Sequence, residues 1–194
     1  MGNKIIVFDF DKTLTYRDTL FGFFMICCRN SILLPFKASV YFLLMILAKI
    51  NLISNSKLKE LGVYLFLRDK SAVYIDNISQ IYIKRINFNK LFKQYDFKQD
   101  QKVYIVSASF DVYLEKIFPD NVIIIGSQIE YSSEVVSGLK YNCYKDEKIK
   151  ALSKKGVNKI DEFYTDSYSD FSLAKISDKI IIVNRDELFE CNDI

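Results

Sequence analysis

Short apolar runs and longer helical patterns alternate along most of this chain. Five runs rich in β-branched and aromatic residues have the length of buried strands. They span residues 5–8, 103–106, 122–125, 160–165 and 179–183. Helical patterns separate the last four runs, over residues 111–118, 145–155 and 168–176. Strands that alternate with helices predict a parallel sheet with crossover helices, a Rossmann-like α/β core, and residues 127–141 predict a small hairpin.

Residues 14–90 interrupt this alternation, because no strand pattern occurs between the first apolar run and the second. Apolar or amphipathic stretches occur at residues 20–28, 32–36, 38–48 and 71–95, the last of which runs a few residues past this interval. A helix start signal, Ser54-Asn55-Ser56, precedes leucines at helical spacing. We therefore predict that residues 14–90 form an all-helical cap inserted into an α/β core of residues 1–13 and 91–194.

Composition excludes several classes of mechanism. The 194-residue chain contains no histidine, which rules out Ser-His-Asp and Cys-His catalysis and His-ligated zinc. Its net charge of +3, without a basic run that carries interleaved aromatic residues, argues against nucleic acid as a partner. The four cysteines lack metal-ligand spacing and are predicted to be reduced packing residues. Because a strand pattern begins almost at once, we expect no signal peptide and a cytoplasmic protein.

Two carboxylates follow the first apolar run. Asp9 and Asp11 stand one residue apart, and Thr13 comes two residues later. Unpaired carboxylates are costly inside an apolar core, so these side chains are expected in the crevice at the carboxyl end of the strand. A divalent cation relieves the repulsion between close carboxylates, and oxygen ligands of this kind suit Mg²⁺. The alternative is a strand end with two solvated aspartates.

Polar residues also follow the later strand patterns. Ser107 comes directly after the second run, and Asp166 follows the fourth, with Asp170 one helical turn further on. Lys148 falls in the first turn of the helix that precedes the fourth run. A parallel sheet brings the carboxyl ends of its strands to one edge, so we expect these side chains to share one crevice with the two carboxylates. Taken alone, each is also explained as a turn serine, a solvated lysine or an aspartate at a helix N-terminus.

Four of these segments resemble, in order, the four motifs of the haloacid dehalogenase superfamily of phosphohydrolases. They are Asp9-Phe10-Asp11-Lys12-Thr13-Leu14-Thr15, Ile105-Val106-Ser107-Ala108-Ser109, Cys143-Tyr144-Lys145-Asp146-Glu147-Lys148 and Tyr164-Thr165-Asp166-Ser167-Tyr168-Ser169-Asp170. The resemblance covers essentially the whole chain. The helical insertion directly after the first motif resembles the branch that contains phosphoserine phosphatase.

The resemblance implies catalytic and substrate-binding roles. Asp9 would be the nucleophile that forms an aspartyl-phosphate. Asp11 would protonate the leaving oxygen and then deprotonate the attacking water. Thr13 and Ser107 would position phosphoryl oxygens, and Lys148 would neutralise charge on the transferring group. These roles predict a phosphomonoester as the substrate.

The same resemblance implies the metal ligands. Mg²⁺ would be held by Asp9, by the backbone carbonyl of Asp11 and by Asp166. Asp170 would lie in the coordination shell or next to it. Asp18 stands where phosphoserine phosphatases have an acidic residue that contacts the substrate, although it could equally cap the first helix of the predicted cap.

The predicted cap is apolar and basic. Residues 12–70 contain nine Lys or Arg against three Asp or Glu, a net charge of +6. This balance favours an anionic membrane surface as a partner, with the protein peripheral at the inner face of the cell membrane. A spanning helix is disfavoured, because the longest uncharged run, residues 38–48, falls well short of the ~20 residues that a span needs. The alternative is a bundle whose apolar faces pack on each other.

A second resemblance concerns the substrate. The cap and the segments Asp18-Thr19-Leu20-Phe21-Gly22-Phe23-Phe24 and Gly126-Ser127-Gln128-Ile129-Glu130 resemble the bacterial phosphatidylglycerophosphate phosphatases of the C type. This resemblance implies a lipid phosphate monoester. Three alternatives stay open: a soluble small-metabolite phosphatase similar to phosphoserine phosphatase, a membrane-associated binding protein without turnover, and phosphotransfer to an acceptor other than water.

Overall fold

A seven-stranded sheet organises the computed structural model, which describes residues 4–97, 101–167 and 171–191. The strands are β1 (Ile5–Phe8), β2 (Lys102–Phe110), β3 (Ile123–Ser132), β4 (Val135–Tyr141), β5 (Ile160–Thr165), β6 (Ser177–Asn184) and β7 (Glu187–Cys191). Their order across the sheet is β4-β3-β2-β1-β5-β6-β7. The five central strands are parallel, and the edge strands β4 and β7 are antiparallel to their neighbours. The predicted α/β fold with a Rossmann-like parallel sheet is confirmed.

Helices occupy most of the chain between β1 and β2. They are α1 (Leu20–Cys27), α2 (Leu34–Lys49), α3 (Asn55–Gly62), a π-helical extension of α3 (Val63–Leu67), α4 (Ala72–Ile83) and α5 (Lys90–Gln94). We call residues 20–94 the helical segment. Side-chain oxygens of Ser54, Ser71 and Asn89 cap α3, α4 and α5, and Pro35 lies in the first turn of α2, where its missing N–H costs nothing.

Three further helices follow strands of the core. They are α6 (Asp111–Leu114), α7 (Asp146–Lys154) and α8 (Phe171–Ala174). The sequence pattern predicts a longer first helix here, over residues 111–118, but regular helix ends at Leu114. The sequence pattern also misses β7, which pairs with β6. A tight turn joins the two strands, and in it Arg185 adopts a positive φ of 58°. The apolar signal of β7 is weak because most of its side chains are exposed.

Two apolar clusters cover the two faces of the sheet. Alternate residues of β1 point in opposite directions, so Ile6 and Phe8 join one cluster and Val7 the other. The first cluster also contains aromatic side chains of the helical segment, such as Phe23 and Phe24, which contact Phe110 at the end of β2. The helical segment and this face of the sheet therefore share one continuous core.

The outer face of α2 is apolar and exposed. Tyr41 is its one buried residue, whereas Phe36, Phe42 and Leu43 are 69, 62 and 57% exposed. Ile32, just before the helix, is 94% exposed. Among the helices within the described residues, none is long and apolar enough to cross a membrane.

Candidate active site

The carboxylate of Asp9 forms a buried ion pair with Lys148. Asp9 directly follows β1, and its backbone N–H donates to the carbonyl of Tyr164 on β5, 2.9 Å away. Lys148 lies in the first turn of α7 and donates from Nζ to Oδ1 of Asp9 at 2.8 Å. Both residues are less than 10% exposed. Because burial removes solvent screening from this contact, each charge depends on the other.

Asp11 lies in a different contact network, although it is only two residues from Asp9. Its Oδ1 accepts hydrogen bonds from the backbone N–H and the hydroxyl of Thr19, at 2.8 and 2.6 Å. Its Oδ2 accepts from the hydroxyl of Ser109 at 2.6 Å. The Thr19 hydroxyl in turn lies 2.9 Å from that of Tyr113. This network joins the turn after β1, the start of α1 and the end of β2.

The environment of Asp11 favours its protonated form. Burial raises the pKa of this carboxyl to about 7, and the nearby charges of Asp18 and Asp9 act in the same direction. The hydroxyls of Ser109 and Thr19 oppose the rise in pKa by donating to the carboxylate. A carboxyl group with a pKa near 7 can both donate and accept a proton at neutral pH.

Thr13 and Ser107 are both buried at this end of the sheet. Thr13 Oγ1 is a buried side-chain oxygen that lacks a hydrogen-bond partner in the described part of the chain. The Ser107 oxygen accepts a hydrogen bond from the backbone N–H of Ser109 at 3.0 Å. An unpartnered buried hydroxyl is costly, which suits a residue that awaits a polar ligand.

Of the remaining predicted site residues, Asp166 lies beside the end of β1 and Asp18 lies at the start of α1. Asp166 follows β5 directly, next to the end of β1, since Phe8 pairs with Tyr164. Asp18 is exposed, and its Oδ1 accepts from the N–H of Leu20 at the start of α1. Asp170 lies outside the described residues.

Several residues of this site carry no assignment from the sequence. Ser109 could have been found from the sequence, because it stands two residues after Ser107 in the second motif. In the structure its hydroxyl contacts Asp11. Thr19 directly precedes the helical pattern of residues 20–28, Tyr113 lies within that of residues 111–118, and neither gives a signal. Lys59 of α3 also reaches the site from the helical segment, with its Nζ 2.6 Å from the carbonyl oxygen of Ala108.

A cavity of about 590 Å³ opens beside Asp18 and Thr19. Its walls combine apolar groups of α1 with three arginines, Arg17, Arg29 and Arg85. All three arginines are exposed. The cavity is therefore both basic and apolar.

The chemistry of the donors at the strand ends fits Mg²⁺. Asp9, Asp166 and the backbone carbonyl of Asp11 offer hard oxygen donors at or directly after neighbouring strands. Within the described ranges, no three Asp, Glu, Cys or His side chains are grouped closely enough to hold a metal ion by themselves. A site of this kind would thus need the carbonyl, and bound water or phosphate, to complete the shell.

Comparison with known proteins places the chain in a family. Residues 6–175 match the model of the haloacid dehalogenase-like hydrolases, so the chain belongs to that family. A search of curated protein sequences gave no significant match. The family membership makes the chain a hydrolase, and phosphoserine phosphatases are among the proteins that share its fold.

Solved structures with the same fold cover most of the chain. A phosphoserine phosphohydrolase-like protein from Francisella tularensis subsp. tularensis SCHU S4 is 20% identical, with a TM-score of 0.63 over 92% of this chain and 86% of that one. A substrate-bound phosphoserine phosphatase is 18% identical, with a TM-score of 0.58 over 93 and 85% of the two chains. A phospho-aspartyl intermediate analogue of phosphoserine phosphatase is 16% identical, with a TM-score of 0.56 over 94 and 87%.

Proposed function

We propose that this protein is a Mg²⁺-dependent phosphomonoester hydrolase that works through an aspartyl-phosphate on Asp9. The buried contact between Asp9 and Lys148 carries the proposal. Lys148 holds Oδ1, so Oδ2 is the oxygen that attacks phosphorus. The unpartnered hydroxyl of Thr13 and the buried hydroxyl of Ser107 are the proposed donors to phosphoryl oxygens. Phosphoryl transfer needs little beyond such positioning and charge neutralisation.

The proposed reaction has two steps. Oδ2 of Asp9 attacks phosphorus, the bond from phosphorus to the leaving oxygen breaks, and Asp11 gives its proton to that oxygen. Asp11 then takes a proton from water, whose oxygen attacks phosphorus and frees the Asp9 carboxylate and inorganic phosphate. When bound by Asp9, Asp166 and the Asp11 carbonyl, Mg²⁺ would neutralise charge on the phosphoryl oxygens. Lys148 supplies the second positive charge.

We also propose the division into a core of residues 1–13 and 91–194 and a cap of residues 14–90. In this proposal the cap selects the leaving group. Asp18 would contact the substrate, or serve only α1, whose first N–H it already accepts. Asp170 would complete the metal shell or support it from outside.

For the leaving group we propose a lipid. The exposed apolar face of α2 supports this choice, and no Asp or Glu occurs between Asp18 and Glu60. The basic and apolar cavity beside Asp18 suits a leaving group that is itself anionic and partly apolar. Such a surface favours peripheral attachment to an anionic bilayer, at the inner face of the cell membrane.

A small-metabolite phosphatase is the second candidate, favoured by the phosphoserine phosphatases among the structural neighbours. A substrate panel separates the two candidates. It pairs long-chain phosphatidylglycerophosphate in mixed micelles with phosphoserine and with the same lipid headgroup lacking its acyl chains. The lipid proposal expects the long-chain substrate to have a kcat/KM at least about tenfold above both others. Preference for phosphoserine would replace the lipid with a small metabolite.

The nucleophile is tested by Asp9→Asn with an aryl phosphate as a generic substrate. We expect turnover to fall at least about a thousandfold, because an amide cannot form the acyl phosphate. Borohydride trapping of a phosphorylated Asp9 in the wild-type protein gives an independent readout. Asp69→Asn is the matched control, since Asp69 is exposed and pairs only loosely with Arg68, at 3.8 Å. Turnover by Asp9→Asn equal to that of the control would remove the nucleophile assignment, and absence of turnover in the wild type would argue for a binding protein.

A further inference from the structure

Lys59 is a buried lysine on the apolar side of α3. It is 5% exposed and shares a helix face with Gly62, Val63 and Phe66, which are also buried. Gly62 has no room for a side chain, since a Cβ there would collide with the ring of Phe24. The face is thus closely packed, and a charged group within it requires compensating contacts.

The ammonium group of Lys59 finds those contacts in the core. It donates to the carbonyl oxygen of Ala108 at 2.6 Å, to Oγ of Ser127 at 2.9 Å and to Oδ1 of Asn142 at 2.6 Å. Three donors thus meet three acceptors. The acceptors belong to β2, to β3 and to the connection between β4 and α7, so one side chain joins three separate segments.

These acceptors also contact one another. The hydroxyl of Ser127 donates to the Ala108 carbonyl at 2.7 Å, and it accepts the N–H of Cys143 at 3.0 Å. The amide of Asn142 returns to α3 by donating to Ser56 at 3.0 Å. All of these partners are neutral, and burial lowers the pKa of Lys59 to about 8. The charged form of Lys59 is therefore destabilised by the loss of water, and no negatively charged hydrogen-bond partner among the described residues compensates for it.

Of the three hydrogen bonds of Lys59, the one to the Ala108 carbonyl lies next to the residues of the candidate active site. Ala108 stands between Ser107, a proposed phosphoryl ligand, and Ser109, which donates to Asp11. Over this stretch the pairing of β2 with β3 shifts register between Val106 and Phe110, so the regular ladder leaves it less constrained. A hydrogen bond to the Ala108 oxygen fixes the peptide plane that links the two serines.

We propose that Lys59 is a positioning residue, through which the helical segment holds residues 107–109 in the arrangement that presents Ser107 to a phosphoryl group and Ser109 to Asp11. The catalytic consequence rests on the proposed function, whereas the positioning of the backbone does not. Within the described residues, the ammonium group of Lys59 donates no hydrogen bond to a motif side chain. Its hydrogen bonds reach the site through the Ala108 peptide and the hydroxyl of Ser127, and its charge also acts on Asp11.

Amide hydrogen exchange tests the positioning itself. Lys59→Met keeps an unbranched side chain one atom shorter and removes the three donors, and Lys57→Met is the matched control on the same helix. Lys57 is exposed and pairs with Glu60 at 3.0 Å. We expect amides of residues 107–110 to exchange at least about tenfold faster in Lys59→Met than in Lys57→Met. Asn142→Leu, which removes one acceptor from the core side, should accelerate the same amides. Unchanged exchange at residues 107–110 in both Lys59→Met and Asn142→Leu would overturn the proposal.

A double-mutant cycle tests whether Lys59 acts through the serine segment. With an aryl phosphate, Lys59→Met should lower kcat about 10- to 100-fold with KM changed less than about threefold. Adding Ser109→Ala should then cost much less than it costs alone, since coupled residues are not additive. Fully additive losses would mean that Lys59 only stabilises the fold, and would overturn the proposal. A wild-type protein without turnover would contradict the proposed function instead, and the exchange result would still decide the positioning.

Discussion

The hydroxyl of Ser109 lies 2.6 Å from Oδ2 of Asp11, and this contact ties the end of β2 to the turn after β1. It is a charge-assisted hydrogen bond when Asp11 is ionised, so it favours the carboxylate. Burial and the charge of Asp18 act the other way and raise the pKa of Asp11 to about 7. The proton on the proposed general acid is thus set by the balance of these opposing effects.

Removing that hydroxyl should shift the pH dependence of turnover. Ser109→Ala takes away a donor that lowers the pKa of Asp11, so the pKa rises and Asp11 stays protonated to higher pH. If Asp11 must be protonated for the first step, the fall of kcat on the alkaline side moves up by about 0.5–1 pH unit. The measurement is kcat from pH 5 to 9 with an aryl phosphate. Ser153→Ala, at an exposed serine of α7, should leave the profile unchanged, and an unmoved profile in Ser109→Ala would contradict the role of Asp11.

Replacing Lys148 should cost both stability and activity. Lys148→Met leaves the Asp9 carboxylate buried without its partner, which costs about 3–5 kcal/mol in the free energy of unfolding. Turnover should fall at least about a hundredfold, because a charge facing the phosphoryl group is lost. Urea titration and steady-state kinetics measure the two effects. Lys150→Met is the control: it breaks an exposed pair with Glu147 and should change stability by less than about 1 kcal/mol. Equal stability of the two variants would argue against a charged pair at Asp9.

Replacing Thr13 should lower activity without lowering stability. Thr13→Val removes a hydroxyl that has no hydrogen-bond partner in the described structure, so the free energy of unfolding should change by less than about 0.5 kcal/mol or increase. Turnover should nevertheless fall at least about tenfold if that hydroxyl binds a phosphoryl oxygen. Thr15→Val offers the contrast, because its hydroxyl accepts the N–H of Lys12 and donates to the carbonyl of Arg17. It should lose about 1–2 kcal/mol. Full activity in Thr13→Val would remove Thr13 from the substrate site.

Activity should depend on the identity of the divalent cation. A chelator should abolish turnover and Mg²⁺ should restore it. Ca²⁺ should restore it poorly, because its larger and looser coordination shell would misplace Asp9 and the phosphoryl group. Rates are compared at saturating concentrations of each cation. Equal rates with both ions, or full activity in the chelator, would contradict the proposed metal geometry.

The exposed face of α2 should bind anionic bilayers. We expect the protein to co-sediment at low salt with vesicles containing phosphatidylglycerol, and more weakly with vesicles of phosphatidylcholine alone. Phe36→Glu and Leu43→Glu each place a carboxylate on this face and should weaken binding about tenfold or more. Val73→Glu is the control, since Val73 is 69% exposed but lies on α4. Equal loss in all three variants, or no binding by the wild type, would favour the small-metabolite phosphatase.

The sequence alone determined the five parallel strands of the core and the residues of the four motifs, whereas it missed the edge strand β7. Runs such as residues 5–8 are apolar on both faces because the sheet is covered on both sides, so their period and length identify them. Asp9 and Lys148 were recognisable because a motif fixes residue types at the ends of particular elements. The topology rule for parallel strands then predicted that these ends would meet, and the structure places the two side chains 2.8 Å apart.

The tertiary structure alone decided which neutral and charged groups surround those motif residues. Thr19, Tyr113 and Lys59 lie in or next to helical patterns, and such patterns indicate only which face of a helix is buried. The hydrogen bonds of Thr19 to Ser109, of Thr19 to Tyr113 and of Lys59 to Ala108 join residues 90, 94 and 49 positions apart, and no local preference encodes such contacts. The same reason explains β7: an exposed edge strand has little apolar periodicity, and it is fixed by pairing with β6 after the chain has folded back. The order of residues determines which chemical groups stand at the ends of the strands and helices. The burial and the hydrogen bonds that shift the pKa values of those groups arise only when distant segments pack together.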